Sequence, residues 1–133
     1  MGAVPKNLDG DGTMNILHRA VRNRKHSLVR HLILTCGMNP NVLYTVPHTT
    51  VRNVTNLHRA VHSGDHRMVT LLVNEAGCNV HTTVGRYLQF PRGANALDIS
   101  LHASIRADIM RKIRKVLQDG GAQHTPMKNL RYW

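Results

Sequence analysis

Leu17-His18-Arg19-Ala20-Val21 is repeated forty residues later as Leu57-His58-Arg59-Ala60-Val61. After another forty residues, Leu97-Asp98-Ile99-Ser100-Leu101 forms a divergent third copy. A fixed period of about this length is typical of a protein built from stacked copies of one supersecondary unit. Because each unit of such a stack contacts only its neighbours, we expect function on the extended surface of the stack and not in a deep pocket.

Each copy predicts a pair of helices. In the second copy, Thr55 is a suitable N-cap for a short helix, and Ser63-Gly64-Asp65 ends that helix. Apolar residues at helical spacing between 68 and 73 then predict a second helix. Gly77 ends it, because glycine tolerates the left-handed backbone of a helix C-terminus. The third copy has four more residues between Leu97 and its glycine, Gly121, which is about one helical turn.

This pattern resembles the ankyrin repeat, whose consensus is G-x-T-P-L-H-x-A-A-x-x-G followed by a helix that ends in L-L-x-x-G-A. The second copy matches it at Thr55, Leu57, His58, Ala60, Gly64, Leu71, Leu72 and Gly77. The first copy matches at Leu17, His18, Ala20, Leu32 and Gly37, and the third at Gly93, Leu97, Gly121 and Ala122. The departures are Ile16, Asn56 and Ala96 at the consensus proline and Asp98 at the consensus histidine.

The resemblance implies an all-α fold, an ankyrin-repeat solenoid of three helix-turn-helix units with long β-hairpin-like fingers. We expect a lead-in at residues 1–12 and a repeat domain at 13–123, followed by a tail at 124–133. The three repeats are placed at about 13–52, 53–92 and 93–123.

The segments between the helix pairs are longer than the family resemblance implies, because ankyrin repeats have a period of about 33 residues. We call residues 38–56 the first finger and residues 78–96 the second finger. Runs of β-prone residues predict a hairpin in each, with the turn at Pro47-His48 in the first and at Gly85 in the second. Insertions in repeat proteins map to one face of the stack, which is often the binding face.

The chain is strongly basic, with 18 Lys and Arg against 7 Asp and Glu in 133 residues. Most of these cations are arginines, which bind carboxylates and phosphates through two parallel hydrogen bonds. The composition therefore favours acidic partners, either an acidic protein, nucleic acid or an anionic lipid surface.

All five aromatic residues lie in the fingers or the tail, and several sit among arginines, as in Arg86-Tyr87, Phe90-Pro91-Arg92 and Arg131-Tyr132-Trp133. Exposed aromatic and arginine side chains are the usual hot spots of interfaces, whereas aromatics could equally brace the hairpins as cross-strand pairs. The candidate partner-binding residues from the fingers, the tail and, by family resemblance, the concave face are Arg22, Asn23, Tyr44, Arg52, His62, Ser63, Arg86, Tyr87, Phe90, Arg92, His102, Arg131 and Trp133. Candidate contacts to phosphate or acidic groups on the helices are Arg19, Arg24, Lys25, Arg30, Arg111, Lys112, Arg114 and Lys115.

The sequence predicts neither catalysis nor a cofactor. It contains no P-loop, no dinucleotide fingerprint and no nucleophile elbow. Its ten histidines have no cysteine pair or carboxylate to complete a metal site, so we expect no metal and no small-molecule substrate. No apolar run reaches the length of a transmembrane helix. We expect an intracellular protein, either cytoplasmic or mitochondrial.

The sequence therefore indicates a non-enzymatic protein-interaction scaffold, a small basic accessory subunit of a larger assembly. The alternative is an RNA-contacting component of a ribonucleoprotein such as an organellar ribosome. A third interpretation is a soluble regulator that blocks an acidic partner without a permanent complex.

Overall fold

The computed structural model describes residues 16–46, 48–102, 106–126 and 130. Within these residues the chain is about half helical, with six helices and one small sheet of two strands. The predicted lead-in at 1–12 lies outside the described residues, as do Pro47 and most of the predicted tail.

We call the first helix of each pair the inner helix, and these helices repeat with the period of the sequence. α1 (Ile16–Arg22), α3 (Asn56–His62) and α5 (Ala96–His102) each have seven residues and begin forty residues apart. Each places a leucine in the core, and Leu17, Leu57 and Leu97 are all fully buried. α3 packs against both α1 and α5, so the middle inner helix joins the other two.

We call the second helix of each pair the outer helix, and the third outer helix differs from the first two. α2 (His26–Arg30) and α4 (His66–Thr70) each continue as a π-helical segment, His31–Thr35 and Leu71–Glu75. α6 (Ala107–Asp119) is instead one α-helix of 13 residues, which accounts for the longer spacing in the third copy. None of the helices in these described ranges is both long enough and apolar enough to cross a membrane.

The two fingers are joined by the sheet. Tyr44 pairs with Val54 inside the first finger, and the Val46 N–H donates to the Val51 carbonyl at 2.8 Å. β1 (Val51–Arg52) then pairs antiparallel with β2 (Arg86–Tyr87) of the second finger. The loops that connect one helix pair to the next therefore hold each other in register.

The predicted turn at Gly85 is wrong. Gly85 lies beside the first finger, and its N–H donates to the Asn53 carbonyl at 3.1 Å. A Cβ atom at this position would lie 3.0 Å from the Arg52 carbonyl oxygen, so the glycine permits the close approach of the two fingers. The second finger turns after Tyr87, whose carbonyl accepts from the Phe90 N–H at 3.0 Å.

A buried histidine connects the start of α3 to the second finger. The Thr55 N–H donates to His58 Nδ1 at 3.0 Å, so the proton of the neutral ring is on Nε2, which donates to the Thr82 carbonyl at 2.8 Å. Burial lowers the pKa of His58 to about 4, although the bond to Thr82 opposes this shift. A second proton on Nδ1 would face the Thr55 N–H, so the fold requires the neutral ring.

We predict that His58 makes the fold sensitive to acid. Its pKa is lower in the folded chain than the ordinary value of 6.5, so its contribution is complete above pH 6.5 and is lost as the pH falls towards 4. The difference corresponds to about 3 kcal/mol of unfolding free energy. His58→Gln, which cannot titrate, should lose correspondingly less stability between pH 7 and pH 4.5 in urea unfolding. Equal losses in both proteins would contradict this account.

Candidate functional site

Three arginines from the two fingers line one depression on the surface. We call it the finger depression. It has a volume of about 370 Å³, and its lining consists of Arg52, Asn53, Gly85, Arg86 and Arg92. Arg52 and Arg92 are exposed and Arg86 is half-buried. The structure thus brings together three of the predicted partner-binding residues, although 40 residues separate Arg52 from Arg92 along the chain.

The sheet places two of these positive charges directly opposite each other. Arg52 of β1 is the cross-strand partner of Arg86 in β2, and like charges at such a pair are destabilising. The described residues that line the depression are these two arginines with Arg92, Asn53 and Gly85. Asn53 next to Arg52 has a positive φ of 53°, and its N–H donates to the Thr45 hydroxyl at 3.1 Å. The local backbone is therefore fixed in a conformation that holds the arginines close together.

The carboxylates of the described residues are engaged elsewhere within the chain. Each of the five forms a hydrogen bond or an ion pair: Asp65 with His26, Glu75 with Arg30, Asp98 with Thr125, Asp108 with Arg106 and Asp119 with Lys115. None of these five carboxylates lines the finger depression.

The aromatic residues of the fingers are core residues and not exposed contacts. Tyr44, Tyr87 and Phe90 are between 0% and 7% exposed. Tyr87 stacks on Phe90 with ring centroids 5.8 Å apart, and the His62 ring makes edge-to-face contacts with both. Successive side chains of a strand point to opposite faces, so Tyr87 points inward where Arg86 points outward. The interpretation as exposed hot spots is wrong for these three residues, and the bracing interpretation agrees with their burial.

The remaining partner-binding candidates lie in different surroundings. Arg22 and Asn23 are exposed at the end of α1. The Ser63 carbonyl accepts a hydrogen bond from the Arg24 guanidinium at 2.6 Å, which ties the first interhelical turn to the second. Arg131, Trp133 and the side chain of His102 lie outside the described part of the structure.

The basic candidates on the helices fall into two groups. Arg24 and Lys25 line a depression of about 470 Å³ at the interhelical turns, together with Arg67 of α4. Arg19, Arg111 and Lys112 are exposed as well. In contrast, Arg30 forms a two-pronged ion pair with Glu75, Lys115 pairs with Asp119, and Arg114 donates to the Ser100 carbonyl.

Arg59 is a site residue that the sequence interpretation missed. It lies on α3, is half-buried, and faces Tyr44 and Arg22 across a second depression. Its Nε atom is buried and has no hydrogen-bond partner among the residues that the structure describes. The only sequence signal was its place in the repeated Leu-His-Arg-Ala motif, where the flanking residues carried the family resemblance and the arginine did not.

The described side chains form no cluster of three or more metal-binding residues. Cys78 is buried, and burial raises the pKa of its thiol to about 12. This thiol is therefore protonated at neutral pH and is a poor nucleophile.

The ankyrin repeat family model matches residues 53–83, which include α3, α4 and the beginning of the second finger. This match confirms the predicted ankyrin-repeat resemblance for residues 53–83. Ankyrin repeats are generally non-enzymatic modules that mediate protein–protein interaction. No curated protein matches the chain.

We predict that removing one charge of the cross-strand pair stabilises the chain at low salt. Arg52→Gln should raise the free energy of unfolding by about 0.5 kcal/mol, because it relieves the repulsion with Arg86. The gain should shrink in 0.5 M salt, where exposed charges are screened. Arg52→Lys keeps the charge and should give no gain. Urea unfolding of both variants checks this, and a gain that does not depend on salt would exclude repulsion as its cause.

Proposed function

We propose that the chain is a non-enzymatic scaffold of three ankyrin-like repeats that binds an acidic protein partner through its fingers and inner helices. In this proposal it is a small basic accessory subunit of a larger assembly, in the cytoplasm or the mitochondrion. The observation that carries the proposal is the finger depression, where the side chains of Arg52, Arg86 and Arg92 from both fingers line one surface.

The charge arrangement supports an external anion as the ligand. Holding like charges directly opposite each other costs stability in the free chain. A carboxylate or phosphate that enters the depression would receive charge-assisted hydrogen bonds from the guanidinium groups, which are about twice as strong as neutral ones. The family match favours a protein as the source of that anion.

A second candidate is contact with RNA in a ribonucleoprotein. The basic depression formed by Arg24, Lys25 and Arg67 at the interhelical turns favours it, since clusters of cations bind phosphate backbones without sequence specificity. The two candidates differ in how the complex responds to ribonuclease and to salt.

We predict that the native protein co-sediments with a high-mass complex in an extract of its own cells, and that ribonuclease leaves this migration unchanged. Migration that is lost on ribonuclease treatment and falls steeply with salt would instead establish the RNA candidate. Migration as a monomer under all conditions would exclude both candidates and leave the soluble regulator.

A charge-matched pair of variants tests which surface binds. Replacing Arg52, Arg86 and Arg92 together by Gln should release the chain from the complex. Replacing Arg67, Arg111 and Lys112, which are exposed on the outer helices, by Gln removes the same charge and should leave the chain in the complex. Equal release by both variants would show that net charge, and not the finger depression, holds the chain.

A further inference from the structure

A second arginine-lined depression lies on the opposite side of the finger sheet. We call it the inner pocket. It has a volume of about 280 Å³, and its lining consists of Arg22, Tyr44, Val46, Thr49, Val51 and Arg59. Val51 lines this pocket and the next residue, Arg52, lines the finger depression. Because neighbouring side chains of a strand point to opposite faces, the two depressions open on different sides of the fingers.

The polar groups of the inner pocket are donors. The guanidinium groups come from two inner helices, Arg22 at the end of α1 and Arg59 in the middle of α3. Burial raises the pKa of the Tyr44 hydroxyl, while the positive charges of Arg59 and Arg22 act against that rise, so both cations lie near this hydroxyl. No carboxylate is among the lining residues.

Among the described residues, the buried Arg59 Nε atom has no hydrogen-bond partner, whereas the Tyr87 hydroxyl lies within hydrogen-bonding reach of the Arg59 side chain. Arg59 lies close enough to Tyr87 for its charge to oppose the rise in the pKa of that phenol, which burial causes. Buried polar groups without partners are rare in folded proteins, because leaving them unpaired costs free energy. An anion bound by Arg59 would hold the guanidinium in place and compensate its buried charge.

The apolar walls and the small volume of the inner pocket determine which anion fits it. Val46 and Val51 are apolar and suit the methylene groups of a side chain. The Thr49 hydroxyl donates to the Val46 carbonyl at 2.7 Å and is already used within the chain. Each guanidinium offers a pair of parallel N–H donors that matches the two oxygens of a carboxylate. The volume lies below the range of about 300–1,000 Å³ that is usual for small-molecule pockets and suits one side chain.

We propose that the inner pocket binds the carboxylate of a single glutamate or aspartate of the protein partner, held between Arg22 and Arg59. This inference rests on the proposed function and adds the class of residue that the partner inserts. A guanidinium group on each side of the carboxylate gives the site its preference for an acidic side chain over its neutral amide.

The test uses the chain by itself and a model compound. N-acetyl-glutamate N-methylamide is titrated into the ¹⁵N-labelled protein, and the arginine Nε–H and backbone resonances are followed by NMR. N-acetyl-glutamine N-methylamide at the same ionic strength serves as the neutral control. We expect saturable shifts at Arg22, Arg59 and Tyr44 with the glutamate compound only.

Two variants locate the binding. Arg22→Gln, at the exposed end of α1, should weaken binding about tenfold, the effect of losing a charge-assisted hydrogen bond. Arg59→Gln should do the same or more. Arg59→Gln removes a half-buried side chain and could prevent folding. In that case Arg22→Gln alone decides the test. The variant with Gln at Arg52, Arg86 and Arg92 should bind normally.

Three outcomes would overturn the proposal. These are shifts spread evenly over the arginines, equal binding of the glutamine compound, and tighter binding of inorganic phosphate than of glutamate at pH 7. The last outcome would assign the pocket to a phosphate group. Since this titration contains no partner, its failure is distinct from the failure of the sedimentation experiment, which tests the proposed function itself.

Discussion

The fold depends on one buried polar side chain at the start of an inner helix, because that side chain joins the helix to the finger that follows it. In the second unit this residue is His58, which accepts from the backbone of Thr55 and donates to that of Thr82. The backbone groups at a helix start and at a finger base would otherwise be buried without partners, which costs free energy comparable to a lost hydrogen bond. Satisfying both with one ring fixes where the second finger leaves the helices.

The third unit makes the same connection with a carboxylate. Asp98 accepts from the Asn95 N–H at 3.0 Å and from the Thr125 N–H at 3.2 Å. His58 donates a hydrogen bond to a carbonyl of the segment that follows its helix pair, whereas Asp98 accepts one from an N–H of the segment that follows its own pair. The direction of the hydrogen bond is reversed, but the same position makes the connection. The departure from the consensus histidine therefore preserves the role of the position. Asn56, in place of the consensus proline, accepts from His18 Nδ1 at 2.7 Å and so connects the first unit to the second.

The helices could be predicted from the sequence because their signals are local. The Thr55 cap and the glycines that end the helices are each recognised within a few residues of the element. The pairing of the fingers is not local, since it joins Arg52 to Arg86, and no pattern in either segment indicates that partner. The predicted turn at Gly85 was wrong for this reason: glycine suits a turn as well as a close approach of two backbones. Arg59 was missed because an arginine in a repeated motif looks like a solvated helix face until the finger that covers it is placed.

The finger sheet also connects the two arginine depressions, because Val51 belongs to one and Arg52 to the other. In the proposed function a ligand on either side would contact the same two-residue strand, so any ordering of that strand by one ligand would lower the entropic cost of binding the other. By reciprocity each ligand would then raise the affinity of the chain for the other by the same factor. A partner that reaches both sides would be released only when both contacts open together.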